Sequence, residues 1–327
     1  MRKSRLVLVF GAFAISGWAQ SATSVAGPVT GFIFDPPSGA VRPMLGIPGA
    51  AYLGNAVAAG LVSGAVAPDG SAALGARRTG KLVLYTGLRS GAVQIVNVPG
   101  AIAGADLFAW ASDASAAAVY SAGAGQAQIV TGLPKTPVVG APIDLTNVPG
   151  RVTQLAFDGQ HLLVGVAGDA GGIFLVSASA PPQRLASSPS PSALALAGGN
   201  LYFADSQFGQ IWQISSYATT PAGVLFANDG GLPVALQVST DSQRLLVANG
   251  NRTLAVYDVA SRSVLQSLDL TFIPTRLDRF GDTSVFLMNS GGQGPLYVAR
   301  DGGPNKAAVY FVPSPARPSQ RAPIHPL

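Results

Sequence analysis

Arg244-Leu245-Leu246-Val247-Ala248 and Thr253-Leu254-Ala255-Val256-Tyr257 are two short apolar runs separated by turn residues at Asn249-Gly250-Asn251. Runs of this length, rich in Val, Leu and Tyr and bounded by Gly, Asn and Asp, are strand signals. Working outward, 234–238 and 263–268 add a strand on either side, with Thr240-Asp241-Ser242 as the first turn. Four such runs in succession, each too short for a helix, read as one antiparallel meander. The unit recurs: aligned apolar runs start at Lys81, Ala127, Ile173, Ile211, Leu254 and Leu296, in steps of 46, 46, 38, 43 and 42 residues. A four-stranded repeat of about 40–45 residues is the period of a propeller blade.

The expected fold is all-β, a β-propeller of six or seven four-stranded blades over 29–313. The count turns on the N-terminus. Phe32-Ile33-Phe34-Asp35, with Ser38 three residues on, mirrors Ala255-Val256-Tyr257-Asp258 with Ser261. It reads as the outer hairpin of a blade, contributing to ring closure by mixing strands from both chain ends, which would protect the sheet edges. Six inner strand pairs then stand against seven outer hairpins, and 51–59 has room for an irregular strand.

Arg244 to Asn249 followed by Leu254-Ala255-Val256-Tyr257-Asp258 resembles the YVTN-type repeat of secreted bacterial propellers, related in architecture to WD40 repeats. Asn200-Leu201-Tyr202-Phe203-Ala204-Asp205 with Gln210-Ile211-Trp212-Gln213-Ile214 follows the same pattern more loosely. The resemblance implies an exported bacterial repeat protein. Similar propellers include lactonases, lyases that open cyclic esters, and quinoprotein dehydrogenases, so the fold carries no single function.

Composition narrows the chemistry. Of 327 residues 11% are charged, all fifteen acids are aspartate, there is no cysteine and there are two histidines. Disulfides, thiolate nucleophiles and cysteine zinc sites are excluded, and the dearth of Glu and Lys disfavours helix. Arg2, Lys3 and Arg5 precede the apolar run 6–15, with Gly17 and Ala19 as small residues before Gln20. This three-part pattern is a signal peptide, 1–19, cleaved after Ala19, and predicts a secreted or periplasmic protein. Its apolar run falls short of the about 20 residues of a membrane span, and no later stretch is long enough. Residues 20–28 form a short extension. The tail 314–327, with Pro315, Pro318, Pro323 and Pro326, cannot continue a ladder and is expected to be disordered. Losing the signal's three cations lowers the net charge from +5 to +2, and no basic patch remains to suit nucleic acid.

Candidate catalytic motifs fall away in turn. Gly75-Ala76-Arg77-Arg78-Thr79-Gly80-Lys81-Leu82 approaches a P-loop, but Leu82 replaces the Ser or Thr that binds magnesium, and a strand rather than a helix follows. His161, after Asp158-Gly159-Gln160, reads as a turn residue, with no Gly-x-Ser-x-Gly elbow to pair with it. Asp106 with Asp113, and Asp278 with Asp282, are near in sequence, yet turn chemistry accounts for such aspartates. No catalytic residue, cofactor or metal is expected. The aromatic residues lie within strand runs and read as packing between blades, and the sequon Asn251-Arg252-Thr253 reads as a turn.

The expected function is an exported, non-catalytic binding or scaffolding propeller, monomeric, whose partner is a protein, glycan or cell-surface component. The alternative is a hydrolase or lyase, lactonase-like, acting on an ester-like or glycosidic substrate. Asp205, Asn249 and Asn289 each follow the second strand of successive repeats, as Phe203-Ala204-Asp205, Val247-Ala248-Asn249 and Leu287-Met288-Asn289. The turn after a second strand lies on the same side as the link between blades, so these three are the candidate ligand-binding residues, rimming one face.

Overall fold

The computed structural model describes residues 28–313 except 229, 282–283, 291–293 and 305. The segment read as a signal peptide, most of the expected N-terminal extension and the proline-rich tail lie outside the described residues. Those described form strands and turns without a helix, arranged as seven antiparallel sheets. The sheets are the blades of a seven-bladed β-propeller. Their inner strands are Val29–Asp35, Leu61–Val66, Leu107–Trp110, Arg151–Phe157, Pro191–Ala197, Pro233–Val238 and Asp278–Arg279, for blades 1 to 7 in order. Blade 6 is the meander read from sequence: Pro233–Val238, Arg244–Asn249, Thr253–Asp258 and Val264–Asp269 in adjacent order.

The N-terminus resolves the blade count at seven and corrects its own reading. Val29–Asp35 is an inner strand paired to Ala40–Ile47, not an outer one, and the two remaining strands of its sheet, Ala50–Leu53 and Ala58–Ala59, both pair with Ala40–Ile47. These last two are the irregular strand expected within 51–59. The Asp-x-x-Ser pattern misled because it encodes a turn and not a rank in the blade. Ser38 Oγ donates to Asp35 Oδ2 at 2.6 Å just as Ser261 Oγ donates to Asp258 Oδ1 at 2.8 Å, yet the first turn joins strands one and two and the second joins three and four. Ring closure involves the N-terminal hairpin through face-to-face packing, since no sheet mixes strands from the two ends. A Cβ on Gly31 would stand 3.0 Å from the Phe280 ring, so glycine is what lets blade 7 seat against blade 1.

Packing follows from the alternation of each strand. Second strands such as Arg244–Asn249 and Leu162–Ala167 are buried almost throughout, because both faces of a middle strand meet neighbouring blades. Fourth strands such as Val264–Asp269 are half exposed. Each core cluster therefore joins two adjacent blades, as where Leu246, Val256, Phe286 and Ala299 join blades 6 and 7.

The meander sorts the turns onto two faces. Turns from strand one to two and three to four lie on one side, the hairpin face. Turns from two to three share the opposite side, the connector face, with the links between blades. Inner strands of blades 1, 2, 4, 5 and 6 carry a β-bulge near their start, as between Pro233 and Ala235. In blade 7 the N–H groups of Thr275 and Arg276 both donate to Met288 O, giving the same two-against-one count. Bulge side chains clasp neighbours: Ser192 Oγ donates to Pro233 O at 2.6 Å and Thr153 Oγ1 to Pro191 O at 3.2 Å.

Candidate functional site

Asp205, Asn249 and Asn289 stand at the connector-face ends of the second strands of blades 5, 6 and 7, one per blade. Their polar atoms serve their own turns and, at Asp205, the link from blade 4 as well. Asp205 Oδ1 accepts the N–H groups of Gln207 and Phe208, and Oδ2 accepts Ser188 Oγ at 2.6 Å. Asn289 Oδ1 accepts Tyr297 N–H at 2.8 Å while Nδ2 donates to Pro295 O. Asn249 Nδ2 donates to Thr253 Oγ1 at 3.1 Å, and its buried Oδ1 has no partner among the described residues. The three share a face without converging on a point.

What these turns present outward is apolar. Phe208, in the blade 5 turn built on Asp205, is 56% exposed, and Leu232, in the link from blade 5 to blade 6, is 53% exposed. Ile273 in the next link and Ile47 at the end of the blade 1 second strand are exposed as well. Backbone hydrogen bonds tie turn to link across this part of the face. Gly230 N donates to Gly209 O, Gly250 N to Leu232 O at 2.9 Å, and Leu270 N to Arg252 O at 2.8 Å. Leu232 itself has φ of 59°, the left-handed region that a branched residue with a Cβ enters at a cost of roughly 1–2 kcal/mol. An exposed leucine is thus held in a backbone conformation that glycine or asparagine would adopt with less strain. Sequence reasoning passed over Phe208 and Leu232 because each sits among Gly, Asp and Pro, where turn chemistry accounts for everything except the apolar side chain. That mismatch was the available signal.

The hairpin face carries a different cluster. Asp158, in the first turn of blade 4, accepts Tyr217 OH at 2.6 Å and His161 Nδ1 at 2.9 Å on Oδ2, and the N–H groups of Gln160 and His161 on Oδ1. Burial opposes the carboxylate's charge, but these hydrogen bonds, that of Tyr217 foremost, outweigh it and hold the carboxyl down to about 2. Burial first, then the bond and charge of Asp158, push the Tyr217 hydroxyl well above its ordinary range. The Asp158 contact occupies His161 Nδ1, and among the described residues no hydroxyl is hydrogen-bonded to Nε2. A carboxylate depressed on folding stabilises the fold fully above its unfolded value of about 3.9, and the contribution vanishes as pH falls from there through about 2. Thermal melts across that window should therefore show a steeper loss for the wild type than for Asp158→Asn, which has no carboxyl to protonate.

Between the faces, the inner strands of all seven blades line an axial cavity of about 690 Å³. The stretch that resembled a P-loop runs instead from the second strand of blade 2, Ala72–Arg77, through a turn at Gly80 into Leu82–Thr86. Among the described residues no group of three or more His, Cys, Asp or Glu could hold a metal ion, and no helix is long and apolar enough to cross a membrane.

No family model and no curated protein matches this chain. Solved structures do. AztD of Citrobacter koseri is 14% identical, with 87% of this chain and 82% of that one covered at a TM-score of 0.57. The WD40 repeats of RRP9 are also 14% identical, covering 78% and 81% at a TM-score of 0.56. A chain of a nidogen/laminin complex is 10% identical, covering 73% and 92% at a TM-score of 0.50. At these identities the likeness is one of fold.

Proposed function

We propose that this protein is an exported, non-catalytic propeller that binds a partner protein through its connector face, around Phe208, Leu232 and Ile273. The signal-like segment 1–19 supports export. The observation that carries the binding reading is Leu232, strained and exposed in a link whose Gly230 N–H donates to the O of Gly209, the residue after the exposed Phe208. Strained backbone persists where the surroundings over-determine it, and such positions gather at functional sites. Large exposed apolar side chains on a rigid platform suit a protein interface, whose centre is apolar and aromatic. Asp205, Asn249 and Asn289 enter this reading as the residues that shape the platform. Structural neighbours include a protein seen in a nidogen/laminin complex, which accords with a propeller that meets another protein.

The test is capture from the exported fraction of the producing cells with the tagged mature chain. Phe208→Asp with Leu232→Asp should abolish recovery of the protein that the wild type captures, while the melting temperature stays unchanged or rises as the Leu232 strain is relieved. Equal capture by the double variant, or none by the wild type, would reject the reading.

A further inference from the structure

The axial cavity is walled mostly by small and apolar side chains, among them Ala65, Ala109, Ala156 and Ala195. Against that wall stand three long polar side chains not spent on a neighbouring blade, Gln154 of blade 4, Gln237 of blade 6 and Arg276 of blade 7, and a fourth, Arg279, that is. Neither glutamine side chain makes a hydrogen bond among the described residues, although both are half buried. Their inner-strand neighbours with polar side chains behave differently, since Thr153 and Ser192 are both consumed in clasps to the next blade. An amide on the wall of this open-ended space, with no protein partner, is left to be met by water or by a ligand.

Register places the three at similar depth. Gln154 immediately follows the bulge of its strand. Arg276 occupies the bulge of blade 7. Gln237 lies two residues beyond Ala235, which follows the bulge of blade 6. With about 3.3 Å of rise per strand residue, their axial spread is about 10 Å, the reach of one small organic molecule.

The unspent hydrogen-bonding groups, rather than the net charge of the wall, decide the sign of the ligand. Each carboxylate on the cavity wall is occupied: Asp158 by Tyr217 and His161, Asp106 by the N–H of Ala122 at 2.7 Å, and Asp278 by Arg276. Of the two guanidiniums, Arg279 donates to Val238 O at 2.9 Å and lies over the Phe286 ring. Arg276 meets Asp278 through Nη2, and the rest of its five-donor fork has no acceptor among the described residues. Burial draws the guanidinium down to about 10, and a carboxylate meeting the donors that Asp278 leaves unspent would favour its charged form. The cavity is far larger than an inorganic ion and falls within the roughly 300–1,000 Å³ of small-molecule sites. A single partly free guanidinium edge suits one planar carboxylate better than a phosphate dianion, which would call for more than one unspent cation.

We propose that the axial cavity binds a small monocarboxylate bearing hydroxyl or amide groups, its carboxylate on Arg276 and its polar groups met by Gln154 and Gln237. This site is separate from the connector face and stands or falls independently of the docking reading.

Calorimetric titration of the mature protein with lactate, gluconate and N-acetylalanine, each beside its neutral amide, and with glycerol phosphate, tests it. At least one carboxylate should bind and its amide should not. Arg276→Gln should weaken that binding about tenfold or more, the loss expected for a hydrogen bond to a charged group. Because Arg276→Gln also unpairs Asp278, the separate variant Gln154→Ala with Gln237→Ala supplies a second readout and should weaken binding several-fold at an unchanged melting temperature. Absence of binding by all three carboxylates, binding indifferent to both variants, or tighter binding of glycerol phosphate would each overturn the proposal.

Discussion

Replacing Asp301 by alanine should destabilise the propeller by about 3–5 kcal/mol, the cost of leaving one partner of a buried ion pair alone. Arg244 opens the second strand of blade 6, and Asp301 follows the third strand of blade 7. Arg244 Nε donates to both carboxylate oxygens of Asp301, at 3.0 and 3.1 Å, and Nη2 donates to Oδ2 at 2.9 Å. The Asp301 side chain is fully buried and that of Arg244 nearly so. Deleting the carboxylate strands a guanidinium whose remaining partner is the half-exposed Asp241, bound through Nη2 at 3.0 Å. It also frees the N–H of Gly303, which donates to Asp301 Oδ1. Urea unfolding of Asp301→Ala measures the loss. Arg244→Met combined with Asp301→Leu should recover much of it, because apolar replacement of both partners removes the stranded charge along with the pair. A single variant as stable as the wild type would mean that blades 6 and 7 are not joined here.

Phe286→Ala should cost a comparable amount, about 3–5 kcal/mol for truncating a buried aromatic. Phe286 is fully buried on the blade 7 second strand, packed with Leu246 and Val256 of blade 6 and Ala299 of its own blade. Its ring also lies 5.8 Å beneath the Arg279 guanidinium, which reaches back to Val238 O of blade 6. Truncation thus opens a void between two blades and removes the surface on which a cross-blade arginine rests. Phe286→Leu keeps most of the volume and should lose far less. Thermal melts of the two variants side by side distinguish packing from any generic effect of substitution.

Much of the architecture was legible in the sequence because strand length and turn chemistry are local. The four strands of blade 6 and the third strands of blades 2 to 7 stand where the repeat placed them. Blade rank was not legible at the N-terminus, since Asp35 and Ser38 specify a turn equally well between strands one and two as between three and four. Only the long-range seating of Gly31 against Phe280 distinguishes the two. The bulges were hidden for a similar reason: Ser192, Val234 and Arg276 differ chemically, and what they share is a position opposite the end of a second strand. At the site level, the common face of Asp205, Asn249 and Asn289 follows from topology alone. The link between His161 and Tyr217 crosses from blade 4 to blade 5 and no spacing announces it. Nor could composition reveal that Gln154, Gln237 and Arg276 line one cavity, since they come from three separate repeats.

Site-specific photocrosslinking in the producing cell addresses the docking claim most directly. A photoreactive residue at Leu232 or Phe208 samples the connector face, and one at the exposed Ser112, in the first turn of blade 3, samples the hairpin face. Docking through the connector face predicts adducts to one and the same protein from Leu232 and Phe208 and none to it from Ser112. Adducts to that protein from Ser112 alone, or the absence of any from Leu232 and Phe208, would contradict it.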